Sequence, residues 1–191
     1  EEFLIASLDT DAAARWLGHD DAGAAALRAL ERIFAEGWRS GVGALHRVGD
    51  PDSMALLDDQ AHLLLACIDA FELTQEDGWL HHARDVAEVM LARFHDPETG
   101  AFRDRPRQAA AAVGTLEEPL LPIADAPAPA GNASAALGLL RLHALTQDDR
   151  WRDAATGVLR AFAGAAQRLG GSPAAFAGAP SWGVTSVTTI V

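Results

Sequence analysis

A heptapeptide recurs in this chain at long range. Leu73-Thr74-Gln75-Glu76-Asp77-Gly78-Trp79 returns as Leu145-Thr146-Gln147-Asp148-Asp149-Arg150-Trp151, an offset of 72. The same offset sets Asp59-Gln60-Ala61-His62 against Gly131-Asn132-Ala133-Ser134, and each tetrapeptide opens an apolar run. A weaker copy, Leu17-Gly18-His19-Asp20-Asp21, lies 56 residues before the first. Fixed-period similarity marks stacked supersecondary units, none of which buries its apolar face alone. A period this long exceeds that of a two-helix solenoid, so each unit must hold a helical hairpin and an elaborate loop.

The two helices of each hairpin differ in kind. The segment 57–74 carries Ala61, Leu63, Leu64, Leu65, Ala66, Cys67 and Ile68, and 131–146 carries Ala135, Ala136, Leu137, Leu139, Leu140 and Leu142. Both are apolar on every side, and such a helix must be buried on every side. Their successors are one-sided. Over 78–94, Trp79, Ala83, Val86, Met90 and Phe94 form one stripe, while Arg84, Asp85, Glu88 and Arg93 lie elsewhere. Over 149–169, Trp151, Ala155, Val158, Leu159, Phe162 and Leu169 do the same. The spacing i, i+3, i+4, i+7 predicts half-exposed helices, and 20–36, with Leu27, Leu30, Ile33 and Phe34, fits that outer type. An inner ring wrapped by an outer ring follows: an all-α fold, an α/α toroid. The units fall at about 1–36, 37–94 and 95–170, with a terminal helix and strand over 172–191.

The connections alternate too. Inner-to-outer turns, 74–78 and 146–150, are tight; outer-to-inner loops, 37–56 and 95–130, are long. The second holds Asp96-Pro97-Glu98-Thr99-Gly100, a turn, then a short strand over 100–103 and a Pro- and Ala-rich run to Pro129. Long loops gathered at one rim are where function concentrates.

Charge and composition exclude several classes. The formal net charge is −12 with no basic run, which argues against a nucleic acid or an anionic membrane as partner. The longest continuous apolar stretch, Leu63 to Ile68, is far short of the about 20 residues a bilayer requires, and with no signal peptide evident the expected compartment is the cytoplasm. Lone Cys67, inside that stretch, reads as a buried structural thiol. All 15 basic residues are arginines and tyrosine is absent, so proton transfer within this chain falls to histidine and carboxylate. His81, His82 and His95 lack ligand spacing on one helix face, so neither a metal site nor a cofactor is expected. Trp79 and Trp151, matched by the repeat, read as packing anchors.

Leu57-Asp58-Asp59 at the start of an inner helix, Leu73-Thr74 with Trp79, and Pro129-Ala130-Gly131-Asn132-Ala133-Ser134 leading into Leu139-Leu140-Arg141-Leu142 carry a resemblance. In these residues the chain resembles the toroid of the thioredoxin-domain family that includes spermatogenesis-associated thioredoxin-like proteins. Ser172-Pro173-Ala174-Ala175-Phe176 and the β-branched run Val184 to Val191 resemble that toroid's end. The resemblance implies kinship with six-hairpin glycosidases and N-acylglucosamine 2-epimerases. Departures are present: Gln60 and His62 stand where the family commonly has an aromatic, and Pro119-Leu120-Leu121-Pro122 replaces a basic-containing stretch, with Asp125 kept. No Cys-x-x-Cys is present, and the length suits about three of six hairpins. The missing half, or self-association, is therefore expected to cover inner-ring apolar surface.

Candidate site residues cluster at the inner-helix starts. Asp58 and Asp59 read either as helix-terminal carboxylates that complement the backbone N–H groups and dipole, or as substrate-binding and catalytic groups. His62, one turn on, reads either as a hydrogen-bonded core histidine or as a base, because epimerase-type toroids abstract protons with histidine. Asn132, beside Gly131, reads as a cap or as a hydrogen-bond partner of a sugar hydroxyl. His46 could supply a second acid/base, and Asp125 a further polar contact. Glu117 and Glu118 read as a solvated loop face, and Arg103, Arg105 and Arg107 as cations able to meet an anionic ligand. Two functions follow. One is a ligand-binding or scaffolding module that takes a sugar or small polar ligand. The other is a carbohydrate-active enzyme, epimerase-like or hydrolase-like. The absent tyrosine and lysine, the replaced basic stretch and the short length favour the first.

Overall fold

In a computed structural model, the structure describes residues 21–47, 50, 53–106 and 131–169. Helix α1 (Asp21–Arg32) runs into a π-helical turn, Ile33–Gly37. Strands β1 (Trp38–Arg39) and β2 (Gly43–Ala44) pair antiparallel as a small hairpin. Then come α2 (Leu57–Thr74), α3 (Asp77–Arg93), α4 (Gly131–Thr146) and α5 (Asp149–Leu169). The helix bounds expected from periodicity hold to within a residue or two for α2 to α5. The terminal helix and strand expected over 172–191 lie outside the described residues.

Inner and outer helices separate as their apolar patterns require. Leu57, Ala61, Leu64, Cys67, Ile68 and Ala70 of α2 are all fully buried, but the helix is not buried on every side as its composition suggested: Asp58, His62, Leu65, Asp69 and Glu72 form one stripe that stays half-buried or exposed. In α4 every residue from Gly131 to Ala136 is buried, as are Gly138, Leu139 and Leu142. Helix α3 instead buries Trp79, Ala83, Val86 and Met90 while His81, Asp85 and Glu88 face solvent. Trp79 and Trp151, 7% and 1% exposed, anchor α3 and α5 on the core as the repeat implies.

The 72-residue offset becomes a lateral contact. Asp58 meets Gly131, His62 meets Ser134, Leu64 meets Gly138, and Asp69 pairs with Arg141. Contacts in that order, from first turn to last, require α2 and α4 to lie side by side and parallel. The turns repeat as well. Gln75 and Gln147 both adopt left-handed backbone, φ 59° and 57°. Their N–H groups donate to Phe71 and His143 carbonyls at 2.7 Å. Thr74 and Thr146 hydroxyls donate back to the Ala70 and Leu142 carbonyls and accept from the Glu76 and Asp148 N–H groups, two residues on.

Both long loops return to the start of an inner helix. The first brings β2 to α2. In the second, Phe102 forms a single antiparallel bridge to His95, so the short strand expected over 100–103 is reduced to one bridging residue. Its turn is built on Asp96: the carboxylate accepts from the Glu98 N–H (3.3 Å) and the Thr99 hydroxyl (3.0 Å) and pairs with Arg103 (3.2 Å). Gly100, at φ +78°, closes the turn and lies against the backbone of Gly157 in α5.

Candidate functional site

The starts of α2 and α4, with the loops that reach them, form one polar mouth. The residue before α2 is Leu56, which offers no capping side chain, so the orphan N–H of Leu57 donates instead to the Asp104 carbonyl (3.0 Å). Asp58 and Asp59 occupy the first turn, where carboxylates complement the helix dipole. Consecutive residues sit about 100° apart around a helix, so the two diverge. Asp58 turns toward α4 and accepts from the Gly131 N–H. The approach is so close that a Cβ on Gly131 would overlap the carboxylate. Asp59 turns toward the hairpin, where His46 Nδ1 lies 3.0 Å from its Oδ2. The Asp59 side chain is 8% exposed and that of His46 47%.

Electrostatics separate the pair further. Asp58 keeps one edge open to solvent, yet partial burial of the other pushes its pKa up, and neighbouring Asp104 adds to the rise. The His62 side chain and the Gly131 N–H pull the other way and do not cancel it. His62, one turn further along, places Nε2 3.3 Å from Ser134 Oγ on α4. The Asp104 carboxylate holds Arg105 through Oδ2 (3.3 Å), while its Oδ1 is buried without a hydrogen-bond partner among the described residues.

Gln60 and Asn132 lie beneath this polar layer, each wholly buried. The Gln60 amide accepts from the Ala44 N–H and donates to the Ala44 carbonyl, both at 2.8 Å, with a further bond to the Leu56 carbonyl. The Asn132 amide does the same at Phe102, again at 2.8 Å twice. Asn132 therefore spends its amide on loop backbone rather than on a sugar hydroxyl, because burial makes pairing those backbone groups the first requirement.

The structure thus brings His46, Asp58, Asp59, His62, Gly131 and Asn132 to one end of the inner helices. Asp125, Glu117, Glu118 and Arg107 lie outside the described residues. Arg103 and Arg105 are engaged with Asp96 and Asp104 and do not form an anion site together. His82 stacks on Phe34 (3.9 Å between ring centroids) and His95 meets Phe102 edge-on. No group of three or more metal-capable side chains exists among the described residues, and no helix among them is long and apolar enough to cross a membrane. Sequence reasoning missed Asp104 and Ser134, and treated Gln60 only as a departure. The signal for Gln60 was present: it and Asn132 are polar residues at one repeat position, each opening an apolar run. Chemically the mouth offers an open carboxyl with raised proton affinity, a buried carboxylate held by an imidazole, and a second imidazole one turn below.

No family model matches the chain. It is 29% identical over 131 residues to spermatogenesis-associated protein 20 of Rattus norvegicus, and 27% identical over 130 residues to that of Homo sapiens. Each match takes in 68% of this chain and 16% of the relative, so the chain spans about a sixth of the length of the curated relatives it matches. Among solved structures, the GH76 α-mannanase BT2949 of Bacteroides thetaiotaomicron superposes with a TM-score of 0.62 at 17% identity, over 83% of this chain and 41% of its own. The GH76 α-1,6-mannanase of a Salegentibacter species gives 0.62 at 14% identity, over 83% and 44%. That structure is a variant inactivated at two consecutive aspartates, in complex with an α-1,6-linked mannose tetrasaccharide. The chain is thus a toroid-fold module, similar over two thirds of its length to part of spermatogenesis-associated protein 20 and built on the α/α architecture of the GH76 glycoside hydrolases.

Proposed function

We propose that the mouth binds a neutral saccharide, with Asp58 as the open hydrogen-bonding group and Asp59, His46 and His62 around it. The observation that carries this reading is the asymmetry of the carboxyl pair. Asp59 is enclosed and held by His46, whereas Asp58 remains open at the rim with an elevated affinity for a proton. An open carboxyl can accept from, or when protonated donate to, the hydroxyls that cover a sugar. A net charge of −12 favours a neutral ligand over an anionic one.

Glycoside hydrolysis is the second reading. Two consecutive aspartates are the positions whose replacement inactivates the Salegentibacter mannanase. This chain has three consecutive aspartate pairs, Asp20-Asp21, Asp58-Asp59 and Asp148-Asp149. Asp148-Asp149 lies at the tight turn, away from the mouth, and Asp20 lies outside the described residues; Asp58-Asp59 alone opens an inner helix. A carboxyl with raised proton affinity beside a second carboxylate is the pattern from which acid and base roles are drawn.

Calorimetric titration of the full-length protein with neutral oligosaccharides, α-1,6-linked mannose tetrasaccharide among them, tests both readings. Binding by wild type that Asp58→Asn weakens roughly tenfold or more, as loss of a charge-assisted hydrogen bond requires, supports a binding module. Release of reducing ends that both Asp58→Asn and Asp59→Asn abolish assigns hydrolysis. If no saccharide binds, the mouth is not a sugar site and a scaffolding role takes its place.

A further inference from the structure

Gln60 and Asn132 are fully buried, repeat-matched amides, and each makes a two-point grip on one loop residue, Gln60 at Ala44 and Asn132 at Phe102. A carboxamide is the neutral side chain that can accept from a backbone N–H and donate to the same residue's carbonyl. Two residues beyond each gripped position stands an ionisable side chain of the mouth. Past Ala44 it is His46, 3.0 Å from Asp59. Past Phe102 it is Asp104, whose carbonyl takes the N–H of Leu57, the residue just before Asp58.

We propose that Gln60 and Asn132 are positioning residues of the mouth: each fixes a rim loop to an inner helix and so delivers the side chain two residues on, His46 to Asp59 and Asp104 to Asp58. The parallel is strict in chain order and in geometry, and it rests on two helices independently. The aspartates themselves are set in the rigid first turn of α2, whereas their partners come from loops. Without the amides those loops have fewer ties to the mouth: the Met54 carbonyl for His46 and the Leu57 N–H for Asp104. Asp58 then faces His62 from its own helix, Asp104 from the loop and the Gly131 N–H from α4; Asp59 faces His46, and Arg105 holds the far side of Asp104. The assignment deepens the saccharide-mouth reading, because it says what holds that mouth in shape.

The test needs no saccharide, so it can fail without touching the binding result. In the full-length protein, carbodiimide labelling of Asp58 across pH, read by peptide mass spectrometry, reports when that carboxyl loses its proton. Asp104→Asn, an isosteric substitution at a half-buried position that leaves both amide grips in place, should move the midpoint down. Asn132→Ser should move it down as well, and the double variant no further; hydrogen exchange across 100–105 should quicken about tenfold or more. On the other loop, Gln60→Asn withdraws the amide while staying neutral, and should raise the reactivity of His46 toward diethylpyrocarbonate several-fold. A Tm loss in Asn132→Ser with an unchanged Asp58 midpoint would show a merely structural amide and overturn the proposal. Should Asn132→Ser fail to fold, the Gln60→Asn and Asp104→Asn arms decide: an unmoved His46 reactivity or Asp58 midpoint overturns it in the same way.

Discussion

Asp96 and Asp58 are carboxylates of opposite character, and each gives the stability of the chain a pH dependence of its own sign. Burial opposes the charge of Asp96, but the Glu98 N–H, the Thr99 hydroxyl and Arg103 outweigh it and hold the group below the ordinary aspartate range. Its contribution is therefore fully present above the unfolded aspartate pKa and is lost as pH falls through the lower folded value. Asp96→Ala should cost about 1–3 kcal/mol at neutral pH, the net worth of hydrogen bonds to a charged group from donors that water can reach, and the difference from wild type should shrink in acid. Thermal unfolding from neutral pH downward measures this; a constant difference would refute it. For Asp58 the sign reverses. Its raised folded pKa means the charged form is disfavoured by folding, so Asp58→Asn should raise Tm above the ordinary aspartate range and gain nothing below it. A group that weakens the fold while standing open at a mouth fits a functional role better than a structural one.

Helices α2 and α4 meet through small residues, and one of them sets how closely. A Cβ on Gly138 would come within 2.8 Å of Leu64 Cδ2 and 3.0 Å of its Cγ, and Leu64 is fully buried. Gly138→Ala gains up to about 1 kcal/mol of helix propensity but overpacks the seam at about 1–3 kcal/mol. Net destabilisation follows, measurable in urea, and relief by Leu64→Ala in the double variant would identify the seam as its cause. The inner and outer helices were legible because apolar residues spread well beyond one stripe need neighbours on more than one side, whereas a single stripe needs only one. The repeat was legible as a period, and it proved to be the register of α2 against α4. The amide grips were not legible, since a lone buried Gln60 or Asn132 does not say which backbone it will hold. Asp104 was hidden for a related reason: it reaches the mouth through a loop path that no periodicity encodes.

The order of burial makes the fold a hierarchy of stability. Helix α2 is enclosed by α3, by α4 and by both loops, with Leu57, Leu64, Cys67 and Ile68 fully buried and Gln60 bonded outward to β2. Helix α4 shares that seam, tied at its far end by Arg141 to Asp69 (2.6 Å) and Glu72 (3.0 Å). Helix α1, by contrast, buries Ala26 and Leu30 and leaves Arg28, Glu31 and Arg32 in solvent. Amide exchange tracks the free energy of the smallest opening that exposes a bond, and that opening is cheapest where few apolar contacts must break. Exchange should therefore be slowest in the middle of α2 and α4, intermediate in α3 and fastest in α1. The mouth makes this ordering functionally relevant, because Asp58, Asp59 and His62 stand on the most protected helix while His46 and Asp104 stand on loops. A saccharide seated there should slow exchange at 43–46 and 100–105 far more than in α2, which is already closed. Hydrogen exchange with and without α-1,6-linked mannose tetrasaccharide measures both quantities, and protection appearing in α1 instead of the two loops would move the site elsewhere.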